Sequence, residues 1–205
     1  MPLNQVTLNE QSFEPSKILC VGRNYVAHIE ELGNETPEGM VVFMKPNSSL
    51  SHQLSSFHDE PLHYEAELCF LVKDGQFSGV AIGLDLTKRE TQSALKAKGL
   101  PWERAKAFDG SAVLSEFVSF DERFQALSLE LWINDELIQQ GGVELMLYPP
   151  EVIKQELGKF TTLQDGDIVM TGTPKGVGVI GKGDRFVGRV LQGEHCLVEK
   201  CWVAE

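Results

Sequence analysis

The stretch His63-Tyr64-Glu65-Ala66-Glu67-Leu68-Cys69-Phe70, with the later run ending Gly83-Leu84-Asp85-Leu86, decides how this chain folds. Side chains alternate between the two faces of a strand, so a strand over 64–72 puts Glu65 and Glu67 on one face, which Cys69 and Leu71 continue. That apolar continuation predicts a covered face. Two covered carboxylates one strand-step apart repel each other unless protons or a cation neutralise them. Lys73-Asp74-Gly75 has turn chemistry and predicts a hairpin that carries Asp85 back toward the glutamates. Three carboxylates make a hard oxygen site suited to Mg²⁺, Mn²⁺ or Ca²⁺, and octahedral Mg²⁺ would keep positions for water and a substrate. Glutamates at this spacing also fit the solvated face of an antiparallel strand, and the pattern by itself leaves both accounts open.

Upstream, Lys17 to Gly22 reads as a buried strand. Asn24 then caps a short helix to Leu32, with Gly33 just past its end. His28 and Glu31 share a face of that helix; a hydrogen bond between them would set the imidazole tautomer and make a usable base, although a solvated pair has the same spacing. Met40 to Met44 is a strand leading to Lys45, either a cation behind the carboxylates or a solvated strand end. Residues 47–61 are weakly patterned, and His52 and His58 read as surface residues.

Downstream, Thr87 and Glu90 form a capping box, with Lys96 and Lys98 in the last turn and Gly99 and Pro101 as the stop. Arg89 and Gln92 fall one turn beyond Asp85. Trp102 to Gly110 holds Lys106, by type a solvated residue. Leu127, Leu129, Leu131 and Ile133 alternate with polar residues into an Asn134-Asp135 turn, Pro149-Pro150 opens a helix that Gly158 ends, and Asp165-Gly166 turns into a strand over 168–171. Gly172-Thr173-Pro174-Lys175-Gly176-Val177-Gly178 is not a phosphate loop of the GxxxxGK[ST] type. Its glycines permit close backbone approach, Thr173 offers a hydroxyl, and a plain β-turn is the competing account. Arg185 to Trp202 is a last hairpin around Gln192-Gly193.

The 205 residues favour one domain with a sizeable core. A net charge of −12 leaves no basic stripe for nucleic acid or an anionic membrane, so an anionic substrate would need a local positive centre. No apolar run is long enough to span a bilayer and the N-terminus lacks a signal-peptide pattern, which predicts a soluble, cytoplasmic protein. Cys20, Cys69, Cys196 and Cys201 have no zinc or disulfide spacing; each is expected to be a small buried residue.

In order along the chain, Val21-Gly22-Arg23-Asn24-Tyr25, Phe43-Met44-Lys45-Pro46, His63 to Glu67, Leu84-Asp85-Leu86-Thr87, Lys106-Ala107-Phe108-Asp109 and Thr171 to Gly178 resemble the fumarylacetoacetate hydrolase family. Within it the chain resembles the short, single-domain members: acylpyruvate hydrolases, oxaloacetate decarboxylases or tautomerases, and 2-hydroxyhepta-2,4-diene-1,7-dioate isomerases of aromatic catabolism. The resemblance runs from about Lys17 to the C-terminus and implies an N-terminal segment (1–16) and one catalytic domain (17–205). It implies an α+β class, with a β-rich mixed sheet rolled into the fumarylacetoacetase C-terminal fold, a few short helices, and a homodimer. It also implies that Glu65, Glu67 and Asp85 hold Mg²⁺, with Mn²⁺ or Ca²⁺ as alternatives. His28 and Glu31 would be the water-activating pair of a mobile lid, Lys106 would face the substrate, and Arg23, Arg89, Gln92 and Thr173 would bind it. The first expectation is hydrolysis of the C–C bond of an acylpyruvate. Isomerase, decarboxylase or tautomerase chemistry on short 2-oxo acids is the alternative, and an inert metal-binding assembly protein the remote one. The chain departs from the family in having Tyr64 in place of a second histidine, Glu90 in place of an aspartate, and a shorter connection after Val72.

Overall fold

In a computed structural model, which describes residues 3–121 and 123–205, a seven-stranded mixed sheet forms the centre of the molecule. Its strands run in the order Val41–Pro46, Lys17–Gly22, Ile168–Met170, Ala66–Lys73, Gln76–Asp85, Ala112–Leu114, Leu50–Ser51. The two central strands are the predicted hairpin. Asp74 (φ 52°) and Gly75 (φ 68°) turn it in the left-handed region, which matches the twist of the flanking strands, and Glu67 pairs with Gly83. Ala66 to Val72 is buried on both faces, as a strand between two packed layers must be.

One layer is a four-stranded antiparallel sheet, Glu136–Gly142, Leu127–Ile133, Arg185–Gln192 and His195–Val203. The predicted alternation holds there: Leu127, Leu129 and Leu131 are buried against the central hairpin, and Ser128 and Glu130 face outward. Two sheets folded over one apolar core, with short helices at the margins, are the curled β-rich arrangement expected. A smaller sheet sets Glu60–Tyr64 between Thr87–Lys88 and Gly178–Val179. The helices are α1 (Val26–Glu31), α2 (Arg89–Ala97), α3 (Glu103–Lys106) and α4 (Pro150–Leu157), and none is long and apolar enough to cross a membrane.

Several expectations are corrected. The single strand over 64–72 is two, because at Glu65 the chain passes from the small sheet into the central one; the Ala66 amide is met by Gln139 Oε1 at 3.0 Å. Asn24 does not cap α1; Tyr25 stands at that position, and the buried Asn24 amide bonds Thr171 O (2.8 Å) and Tyr148 O (3.0 Å). Thr87 and Glu90 form no capping box. The first amides of α2 are satisfied from outside it, by Glu60 Oε1 to the amides of Glu90 (3.0 Å) and Thr91 (3.3 Å). Cys196 and Cys201 are exposed, since the strand carrying them lies at the edge of its sheet; Cys20 and Cys69 are buried as expected. Apart from these corrections, the N-terminal segment ahead of Lys17 carries a hairpin of Val6–Leu8 and Gln11–Phe13 that buries Val6 and Leu8.

Candidate functional site

Glu65 at the sheet crossover, Glu67 two residues on and Asp85 at the end of the returning strand converge, with one carboxylate oxygen from each within 4.8 Å of the others. All three are buried. Glu65 is the most strongly countered: Oε1 takes Arg89 Nη2 at 2.5 Å and Oε2 takes Lys106 Nζ at 2.8 Å. Burial works against its charge, but Lys106 and then Arg89 prevail and hold the carboxyl well below the usual range. The same ammonium donates to Asp85 Oδ2 (2.7 Å) and to Thr87 Oγ1 (2.6 Å). Burial opposes the Lys106 charge too, and Asp85 and Glu65 outweigh it, so Lys106 remains a cation.

Lys45 is the second buried cation, which settles its two sequence readings in favour of a place behind the carboxylates. An ammonium has three protons. Lys45 directs its own to Lys106 O, Ser111 O and Ser111 Oγ. Asp85 Oδ1 therefore lies 2.8 Å from Lys45 Nζ as an ion pair and still has no hydrogen-bond partner among the described residues. Among the described residues Glu67 forms no ion pair; its Oε2 takes the Gly172 amide at 2.7 Å. Burial, then Asp85 and Glu65, push its carboxyl well up. A buried carboxyl with no cation paired to it, beside an Asp85 oxygen held only by its ion pair with Lys45, is a donor set that a hard divalent cation would satisfy, so the residues present fit the ion.

Helix α1 contributes His28 and Ile29 to the lining of the pocket that holds this cluster. His28 Nδ1 lies 3.1 Å from Glu31 Oε2, and Glu31 Oε1 accepts the Gly176 amide at 2.9 Å, which ties the helix to the glycine-rich loop. Close backbone approach is the correct account of that loop. Gly172 has φ 96°, and a Cβ there would come within 3.0 Å of Val21 O; Gly176 has φ 101° and would meet Ile138 O. Arg23 turns into α1 with φ 57°, a strained conformation for a residue with a side chain and the kind that clusters at functional sites.

One pocket is lined by every candidate except Glu31: Arg23, His28, Glu65, Glu67, Asp85, Arg89, Gln92, Lys106 and Thr173. Arg89 Nη1 also bonds Gln92 Oε1 at 2.9 Å, and the buried Thr173 hydroxyl takes Gln139 Nε2 at 2.9 Å. Tyr64, where a histidine was expected, packs its ring edge-on against Phe186 and does not line the pocket. Lys96, Asn34, Trp102 and Phe43 also line it. Sequence reasoning had assigned Lys96 only to a helix end. Its spacing from Arg89 and Gln92 (89, 92, 96) on one helix face was the available signal.

A family model for the fumarylacetoacetate (FAA) hydrolase C-terminal domain matches residues 17–199. An oxaloacetate tautomerase of Escherichia coli, YcgM, is 38% identical over 83% of this chain and 86% of its own length. The crystal structure of a candidate fumarylacetoacetate isomerase/hydrolase from Oleispira antarctica superposes with a TM-score of 0.92 at 35% identity, covering 99% of this chain and 100% of that one. That of a fumarylpyruvate hydrolase from Pseudomonas aeruginosa, in complex with Mn²⁺ and pyruvate, superposes with a TM-score of 0.88 at 28% identity, covering 98% and 95%.

Proposed function

The chain belongs to the fumarylacetoacetate hydrolase family and is an enzyme of that family, and from that premise we propose that it interconverts the keto and enol forms of oxaloacetate with a divalent metal. The observation that carries the proposal is the convergence on one pocket of a three-carboxylate cluster and the His28 imidazole, which Glu31 holds from outside the pocket. Glu65, Glu67 and Asp85 would hold Mg²⁺ or Mn²⁺, with Ca²⁺ the third candidate; a bound ion supplies a Lewis-acid centre for the substrate's 2-oxo acid end. Glu31 accepts from Nδ1–H of His28, which fixes Nε2 as the basic nitrogen. His28 takes a proton from C3 of the substrate and returns it to the 2-oxo oxygen, and Lys106 is the nearby cation that favours negative charge on that oxygen. Arg89, Gln92, Arg23 and Thr173 orient the carboxylates. Closure of α1 on the Gly176 amide limits water at His28. A paired assembly of two copies and a cytoplasmic setting belong to the same proposal.

Acylpyruvate hydrolysis, the first expectation from the sequence, becomes the second reading. It keeps the same residues and asks His28 to deprotonate water; the likeness to a fumarylpyruvate hydrolase favours it, whereas the tautomerase relative is the more similar in sequence. Isomerisation and decarboxylation need the same residues without the water. The test is the rate of oxaloacetate enol loss and of acylpyruvate cleavage, for dialysed protein with and without Mg²⁺ or Mn²⁺, and for His28→Ala. Tautomerisation should depend on metal and fall roughly 10²- to 10⁴-fold in His28→Ala, the range for a positioned base. Cleavage of the acylpyruvate with oxaloacetate untouched would install the second reading, and full turnover in excess chelator would remove the metal from both.

A further inference from the structure

Most cations around the pocket are already committed. Lys106 and Arg89 are spent on Glu65 and Asp85, and Lys45 on backbone carbonyls, Ser111 and Asp85. Two are not. Lys96 Nζ reaches only the amide oxygen of Asn34, at 2.8 Å, and Arg23 reaches the same oxygen and Glu35 O, each at 3.5 Å; neither pairs with a carboxylate among the described residues. Both line the pocket, and both are partly buried.

Arg89, Gln92 and Lys96 follow one another along a single face of α2, so Lys96 starts about 10 Å further along the axis than Arg89 at 1.5 Å per residue. Helical side chains lean toward the N-terminus, so the Lys96 side chain leans toward the Arg89 end of that face, and its ammonium is held at Asn34 Oδ1. Trp102, whose ring centre is 6.0 Å from Lys96 Nζ, walls this end of the pocket. Burial, then the positive charges of Arg23 and Arg89, hold the Lys96 ammonium below its usual value; a carboxylate arriving there would reverse that.

We propose that Lys96 and Arg23, bridged by Asn34, form an anion pole for the distal carboxylate of the substrate, so that this pocket selects 2-oxo diacids over 2-oxo monoacids. The inference rests on the 2-oxo acid reading above and adds the group that discriminates among such acids. In a chain of net charge −12 a second anion needs a local positive partner, and these are the two pocket cations without an acidic one.

The test compares oxaloacetate with 2-oxobutyrate, which has the same chain length and a methyl in place of the distal carboxylate. Solvent deuterium exchange at C3 is followed by NMR for wild type, Lys96→Met, Arg23→Gln and Lys96→Arg, and binding of both acids to the Mn²⁺-loaded proteins is measured by calorimetry. In Lys96→Met the oxaloacetate KM should rise at least tenfold more than that of 2-oxobutyrate, with the loss in KM rather than kcat; Arg23→Gln should act in the same direction, and Lys96→Arg should recover most of the loss. Equal losses on the two acids, or a discrimination that survives Lys96→Met, would overturn the pole. If the wild type exchanges neither acid, the proposed function falls, and the calorimetric difference between the acids in wild type and Lys96→Met then decides the pole alone.

Discussion

Glu67 is the carboxyl on which the charge balance of the cluster depends, because burial and two neighbouring carboxylates raise it further than the Gly172 amide and the Lys106 charge lower it. In the metal-free protein the folded chain keeps a proton here that the unfolded chain, near its ordinary 4.5, releases. The resulting stability is fully present below about pH 4.5 and is lost as pH rises through the higher folded value. A bound cation would take the place of that proton, so metal affinity should increase over the same interval. Glu67→Gln copies the protonated form and keeps an oxygen for Gly172. In chelator at neutral pH it should melt above wild type, each kcal/mol reading as about 2–4 °C for a chain of this size, and it should lose the gain in Tm that Mg²⁺ or Mn²⁺ gives wild type. A variant that gains as much from metal as wild type does would remove Glu67 from the ligand set.

Helix α2 presents Arg89 and Gln92 to the pocket, and its start is held by Glu60 rather than by its own residues. Glu60 Oε2 also takes the Thr91 hydroxyl, so one acidic side chain occupies the positive end of the helix. Glu60→Ala should therefore cost roughly 1 kcal/mol, the usual value of a lost N-cap. It should also weaken oxaloacetate binding by letting Arg89 drift. Glu90→Ala, which would break the capping box predicted locally, should cost less than half as much. Denaturant midpoints of the two variants measure the difference, and an equal cost would return the cap to Glu90.

At the scale of the molecule, the cluster exists because two strands close a hairpin in one register while the chain changes sheets at Glu65. Gly83 lies opposite Glu67 where that hairpin is most crowded: a Cβ would come within 2.5 Å of Cys69 Sγ and 2.6 Å of Leu114 Cδ2. Gly83→Ala should destabilise by about 1–3 kcal/mol through overpacking. By shifting the strand against Glu67 it should also lower metal affinity. An unchanged melting curve would mean that the sheet yields without strain and that the register is not what holds the carboxylates together.

Much of the fold was legible because it is written in periods and local backbone demands. Apolar alternation marked Leu127 to Ile133, the pair Asp74-Gly75 accepted the left-handed angles of a tight turn, and Pro150 and Gly158 bounded α4. The three carboxylates followed from the same hairpin, and six blocks in one order pointed to the family that the match over 17–199 shows. What only the tertiary structure decided is which distant group meets each polar side chain. Asn24 looked like a cap and instead bonds Thr171, 147 positions away; Thr87 looked like a cap and receives the Lys106 ammonium; Lys45 read equally well as buried or solvated and is buried beside Asp85. Periodicity specifies which way a side chain faces, but a buried polar group takes whatever partner the packed chain brings within about 3 Å, and that partner is set by the closing of the sheets.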